Sequence, residues 1–210
     1  MRQARCLRYI QRHALKKGLG HEMSDFIATF LDETAQIARQ IDRLSIAAAR
    51  DEMKAVKARG GRLFIVGVGG SAGNASHAVN DFRKIGGIES YAPSDNVSEL
   101  TARVNDESWE VSYANWLKGS RLNRNDLLLV FSVGGGSATT SLNLVRAMEL
   151  ARDVGCAIVS VVSRDGGVAK KLSTACVLVP VVSQDRITPH AEIWQSVIWH
   201  LLVNSEPLTA

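Results

Sequence analysis

Two apolar runs, Leu63-Phe64-Ile65-Val66 and Leu127-Leu128-Leu129-Val130-Phe131, each lead into a glycine–serine loop and then a stretch of helical character. The loops are Gly67-Val68-Gly69-Gly70-Ser71 and Ser132-Val133-Gly134-Gly135-Gly136-Ser137. A short continuous apolar run followed by a tight turn and a helix belongs to a buried parallel strand. The same turn gathers backbone N–H groups at the positive end of a helix dipole, where an anion is favoured. Glycine lets the backbone come close to a ligand, and Ser71, Ser132 and Ser137 can add hydroxyl donors. One such loop needs glycine for its turn alone. Two of them, both carrying serine, favour a ligand with a phosphate.

The rest of the chain repeats the alternation. Residues 24–58 hold few breakers, and Phe26, Ile27, Phe30, Leu31, Ala35, Ile37, Ala38, Ile41 and Leu44 recur at helical spacing, which predicts a long amphipathic helix or helix pair ended by Gly60-Gly61. Strands are predicted at 62–67, near 90–93, and at 126–132, 157–163 and 176–182. Helices are predicted at 71–85, 96–103, 108–118, 137–154, 166–173 and 187–204. This is the pattern of a parallel sheet covered on both faces, in which ligands bind at the carboxyl ends of the strands.

A chain of 210 residues, 46% hydrophobic, can bury one good core, so residues 23–210 are expected to form a single α/β domain. No apolar run approaches the ~18 residues of a membrane span. Cys6, Cys156 and Cys176 are odd in number and scattered, and the last two lie in apolar runs, as buried thiols in a reducing cytoplasm do. The net charge of +4 is concentrated at the start. Residues 1–22 carry six cations against the one acid Glu22, and the remainder has a net charge of −1. Residues 1–22 therefore read as a basic N-terminal extension, a candidate for disorder, lacking the roughly 7–15-residue apolar stretch of a secretory signal. A nucleic-acid or membrane-surface arm is the other reading of that segment. The favoured one makes Met23 the natural start, leaving neither nucleic acid nor a membrane as the expected partner.

Candidate chemistry lies on two helices. His77 and Asp81 are four residues apart and share a face. Glu192 and His200 are eight apart, about 80° around a helix axis, and can point the same way. Two histidines and two carboxylates suit a divalent metal such as zinc, or an acid–base pair. Each residue taken alone has an ordinary structural reading, and the spacing by itself does not establish a site.

The first loop followed by His77-Ala-Val-Asn-Asp81 resembles the first signature of the sugar isomerase (SIS) domain, and more narrowly the phosphoheptose isomerases. Further motifs match in order: Ser94-Asp95-Asn96-Val97-Ser98-Glu99-Leu100-Thr101-Ala102, Val104-Asn105-Asp106, the Ser132–Ser137 loop, Arg164-Asp165-Gly166-Gly167, and Thr188-Pro189 through Glu192 to His200. The resemblance implies a three-layer, doubly wound, flavodoxin-like five-stranded parallel sheet with a long N-terminal helix. It implies a cytoplasmic homotetramer with sites at subunit interfaces. The implied reaction interconverts sedoheptulose 7-phosphate and D-glycero-D-manno-heptose 7-phosphate. Carried over by position, substrate contacts fall on Val68, Gly69, Gly70, Ser71, Asn105, Asp106, Ser132, Val133, Gly134, Ser137 and Glu192. Zn2+ or another divalent metal falls to His77, Asp81, Glu192 and His200, with Asp81 and His200 as the acid–base residues.

The sequence also departs from that pattern. Val68 stands where the family has Asn, Ser132-Val133-Gly134 where it has Ser-Thr-Ser, Asp81 for Glu and Glu192 for Gln. His190 stands in place of Arg, and its favoured reading is a surface residue at a helix start. Each lost side-chain donor forgoes on the order of 1 kcal/mol toward substrate. An isomerase is the reading preferred here. A related sugar phosphate as substrate, and a non-catalytic phosphosugar-binding or protein-interaction relative of the replication-initiator-associated type, stand as alternatives.

Overall fold

The computed structural model describes residues 20–209. The basic extension expected at 1–22 lies, up to residue 19, outside the described residues. The chain divides into two compact units, one ending at Gln40 and one beginning at Ile41. The first contains helix α1 (Gly20–Gln40), on which the Phe26 and Phe30 rings lie 6.1 Å apart, one turn from each other.

The second unit opens with α2 (Arg43–Ala58), capped by Asp42, whose carboxylate accepts a hydrogen bond from the Leu44 N–H at 2.9 Å. The predicted stretch at 24–58 is therefore a helix pair, broken where a side-chain oxygen satisfies the first amides of a new helix. Then follow β1 (Leu63–Val66), α3 (Gly70–Lys84), β2 (Ser90–Tyr91), a 3₁₀ turn at Pro93–Asp95, α4 (Val97–Asp106), α5 (Ser112–Gly119), β3 (Leu127–Phe131), α6 (Leu142–Asp153), β4 (Ala157–Val162), α7 (Gly167–Leu172), β5 (Ala175–Leu178), α8 (Ile187–Val203) and α9 (Glu206–Thr209). The five strands pair in parallel in the order β2-β1-β3-β4-β5, with Leu63–Val66 in register with Leu127–Val130. This is the expected doubly wound, flavodoxin-like sheet. β5 is shorter than the predicted 176–182: Val179 makes the last backbone bond to β4, and Pro180 has no N–H to continue it.

Both faces of the sheet are covered, which explains strands without polar alternation. Phe64, Val66, Leu128, Val130, Ile158 and Val162 pack with Tyr113, Leu117, Leu144 and Met148 of α5 and α6. The intervening Leu63, Ile65, Leu127, Leu129, Val159 and Val161 are also fully buried, on the side served by α2, α3 and α8. Cys156 is buried and Cys176 half-buried, both as free thiols; Cys6 lies outside the described residues. Among the described residues no helix is long and apolar enough to cross a membrane.

Candidate active site

The carboxyl edge of the sheet is built from backbone packed against backbone. Gly69 precedes α3 with φ +64° and ψ −129°, a conformation open to glycine alone. Under it, the Gly67 carbonyl accepts a 2.8 Å hydrogen bond from the buried Tyr113 hydroxyl. Burial pushes that phenol up to about 12. In the second loop the Ser132 hydroxyl accepts from the Gly135 N–H at 3.0 Å, and the Ser163 N–H donates to the Val133 carbonyl at 2.9 Å. Gly167, at φ +52°, lies so close that a Cβ there would strike the Gly134 and Gly136 carbonyls. Val168 and Ala169 donate their N–H groups back to Gly136 and Gly135. The two turns thus form one rigid floor.

A cavity of about 410 Å³ stands on this floor, lined by Val68 and Ser71, by Ser132, Val133, Gly134, Gly136, Ser137, Thr140 and Ser141, and by Arg164, Asp165, Gly167 and Thr188. The Ser137 hydroxyl accepts from the N–H groups of Thr139 and Thr140, leaving its proton to donate elsewhere. These turns also explain why α6 begins at Leu142 rather than at the predicted 137. Local side-chain bonds and a left-handed Ser141 (φ +54°) divert residues 137–141 from the helix into the cavity wall. Arg164, Asp165, Thr140, Ser141 and Thr188 were not among the predicted site residues. Arg164-Asp165 and Thr188 stand within recognised motifs, whereas nothing in the sequence marks Thr140 and Ser141.

A second group of side chains forms on α3 and α8. Ligand atoms of His77, Asp81 and His200 lie within 4.8 Å of one another. The His77 and His200 rings meet edge to face at 5.5 Å, while Trp199 stacks on His200 at 3.4 Å and meets the His77 ring at 4.7 Å. The Ser196 carbonyl lies 2.7 Å from His200 Nδ1. A carbonyl can only accept, so Nδ1 carries the proton and Nε2 presents its lone pair. The helices are held in register by Asn74, whose Nδ2 donates to the Glu192 carbonyl at 2.9 Å and to Gln195 Oε1 at 3.1 Å.

The remaining expected residues are placed elsewhere. The Glu192 carboxylate lies outside the His77–Asp81–His200 group and against Gly70, where a Cβ would collide with it. Asn105 and Asp106 end α4 on the exposed surface, joined by a 2.8 Å bond from Asn105 Nδ2 to Asp106 Oδ1. Gly69 and Gly70 shape the turn without lining the cavity. His190 corrects the expectation of a surface residue: it is 2% exposed. Position 190 lies one turn before Trp194 and continues the buried stripe of Trp194, Ile198 and Leu202 at four-residue spacing.

The SIS domain family matches residues 25–163. The chain is 33% identical over 149 residues to the phosphoheptose isomerase of Helicobacter pylori (strain Shi470), covering 68% of this chain and 72% of that protein. It is 29% identical over 187 residues to the phosphoheptose isomerase of Helicobacter hepaticus, covering 86% of this chain and 91% of that one. The solved structure of phosphoheptose isomerase from Neisseria gonorrhoeae superposes with a TM-score of 0.75 at 21% identity, over 87% of this chain and 97% of that one.

Proposed function

Because the chain belongs to the SIS-domain family, in its phosphoheptose isomerase branch, we propose that it interconverts sedoheptulose 7-phosphate and D-glycero-D-manno-heptose 7-phosphate. The observation that carries this reading is a carboxylate grouped with two imidazoles, in a chain whose glycine–serine floor suits a phosphate. The phosphate rests on Ser71 and the Ser132–Ser137 loop. Asp81 removes the proton from C1 of the open-chain ketose, and the freed electron pair forms the C1–C2 double bond of an enediolate. The Nε2 lone pair of His200 accepts the proton on O1 and passes it to O2. With O1 deprotonated and O2 protonated, the C1 carbonyl forms and Asp81 returns its proton to C2.

His77, Asp81 and His200 fit a divalent ion. Two nitrogens and a carboxylate oxygen are grouped, and His200 is held by Ser196 in the tautomer that leaves Nε2 for a ligand. The resemblance assigns Glu192 to the same set, and in this chain its carboxylate stands apart from the group, against Gly70. A bound zinc ion supplies Lewis-acid polarisation of the sugar carbonyl.

None of the three grouped residues lines the glycine-loop cavity. This separation supports an active site assembled between subunits of a homotetramer. The helix carrying His200 offers an exposed apolar stripe for it, Ile193, Val197 and Leu201. An NMR conversion assay on sedoheptulose 7-phosphate, with and without added zinc, tests the reading. Metal-stimulated turnover that falls by about 10²–10⁴-fold in His200→Ala is expected. A folded, zinc-treated wild-type protein that leaves the ketose unchanged overturns it.

A further inference from the structure

The glycine-loop cavity contains a charge problem that its hydroxyls do not solve. Asp165 lines it, and its Oδ1 accepts only the Gly167 N–H, at 3.1 Å. Val133 and Gly134 contribute no side-chain donor. The Ser132 and Ser137 oxygens are already acceptors within their own loop. A dianionic phosphate entering here meets a carboxylate, and neutral donors alone give it weak compensation.

Arg164 is the cation in the wall of this cavity. It follows β4 directly after Ser163 and holds φ +57°, a left-handed conformation that costs a residue with a Cβ energy and persists where its surroundings fix it. The fixing is visible: Gly166 and Gly167 also have positive φ, and the turn is pressed against the Gly134–Gly136 backbone. A Cβ built on Gly134 would lie 3.8 Å from Arg164 Cδ, so the arginine stem passes over the position that lacks a side chain. No acid of the described residues forms an ion pair with this guanidinium. Turned the other way, it borders a depression with Asp165, Val181, Gln184 and Ile187, in which the one acid is the Asp165 that also lines the glycine-loop cavity.

We propose that Arg164 binds the substrate phosphate, offsetting Asp165 and replacing the donors absent at Val133 and Gly134. The assignment rests on the phosphosugar reading above. It makes Arg164 a binding residue whose loss raises KM.

Isothermal titration of the full chain with inorganic phosphate and with sedoheptulose 7-phosphate tests it, using wild type, Arg164→Asn and Arg164→Lys. Asparagine suits the left-handed backbone, and thermal melts verify that each variant folds. Arg164→Asn should raise Kd for both probes about 10- to 100-fold, with Arg164→Lys between it and wild type. Binding by Arg164→Asn within about twofold of wild type overturns the assignment, whether or not the enzyme turns over. Phosphate binding lost in Arg164→Asn, with no turnover of the sugar phosphate by wild type, sustains the assignment and overturns the proposed reaction. A wild-type protein that binds neither probe overturns both.

Discussion

Tyr113→Phe removes one oxygen and leaves the ring. That hydroxyl is the donor to the Gly67 carbonyl, at 2.8 Å, with both residues buried. Phenylalanine fits the same space between β1 and α5, so no cavity is opened. The change therefore isolates the hydrogen bond and the orphaned carbonyl. A buried bond of this kind is worth about 1 kcal/mol net, and an unsatisfied carbonyl adds to the loss, giving roughly 1–2 kcal/mol. For a chain of this size that lowers Tm by about 2–8 °C. The Gly67 carbonyl sits at the start of the turn that carries Ser71 to the cavity, so phosphate affinity should weaken as well. Urea unfolding with m unchanged is the assay, followed by a phosphate titration. A stability within about 0.5 kcal/mol of wild type would refute the claim that the Tyr113 hydroxyl holds this turn, because a buried carbonyl left without a donor costs more than that.

Two further perturbations probe the same framework. Asp126 is 2% exposed, and its carboxylate accepts from Arg62 Nε and Nη2 and from the N–H groups of Arg62 and Asn123. Asp126→Ala should cost about 3 kcal/mol in urea unfolding, and a loss below about 1 kcal/mol would contradict this network's role. The Cys156 thiol is pushed from 9.0 to about 12, first by burial and then by the neighbouring Asp126 charge. Below pH 9 both folded and unfolded thiols are neutral; above it only the unfolded one ionises, so stability falls with rising pH until about 12. The slope from this group approaches 1.4 kcal/mol per pH unit, and Tyr113 adds to it above pH 10. Cys156→Ala should flatten the profile between pH 9 and 10, and an unchanged slope there would rule the thiol out as its source.

What was legible in the sequence follows the physics of buried strands. Leu63–Val66 and Leu127–Phe131 cannot be exposed on either face, so the doubly covered sheet and its ligand edge could be read directly. The glycines of both loops were legible because their turns demand them. Tertiary choices were not. His190 looked like a surface residue because a polar side chain in a helix's first turn is usually solvated; the start at 187 was as expected, and what the sequence reading missed is that position 190 continues the buried Trp194–Ile198–Leu202 stripe. Residues 137–141 looked helical because serine and threonine tolerate a helix, while their hydroxyls also bond locally to the backbone. Glu192 was expected beside His200 on angular grounds, yet an eight-residue separation is also about 12 Å along the axis. Within one chain that rise carries the carboxylate to the first turn of α3 and away from His200.

The same arithmetic bears on how the proposed site must be assembled. Ser71 opens α3 at the cavity, and His77 and Asp81 follow it by six and ten residues, about 9 and 15 Å along the helix. A helix is stiff, so this spacing does not close when a ligand binds. In the homotetramer proposed above, docking of subunits, rather than motion within one chain, would bring the phosphate floor of one chain to the His77–Asp81–His200 group of another. Asn105 and Asp106 fit that account: they form an exposed pair at the end of α4, outside the lining of the glycine-loop cavity. Activity should then depend on assembly through the Ile193–Val197–Leu201 stripe. Substrate affinity for phosphate, carried by Arg164 and the glycine loops, should survive in a separated chain.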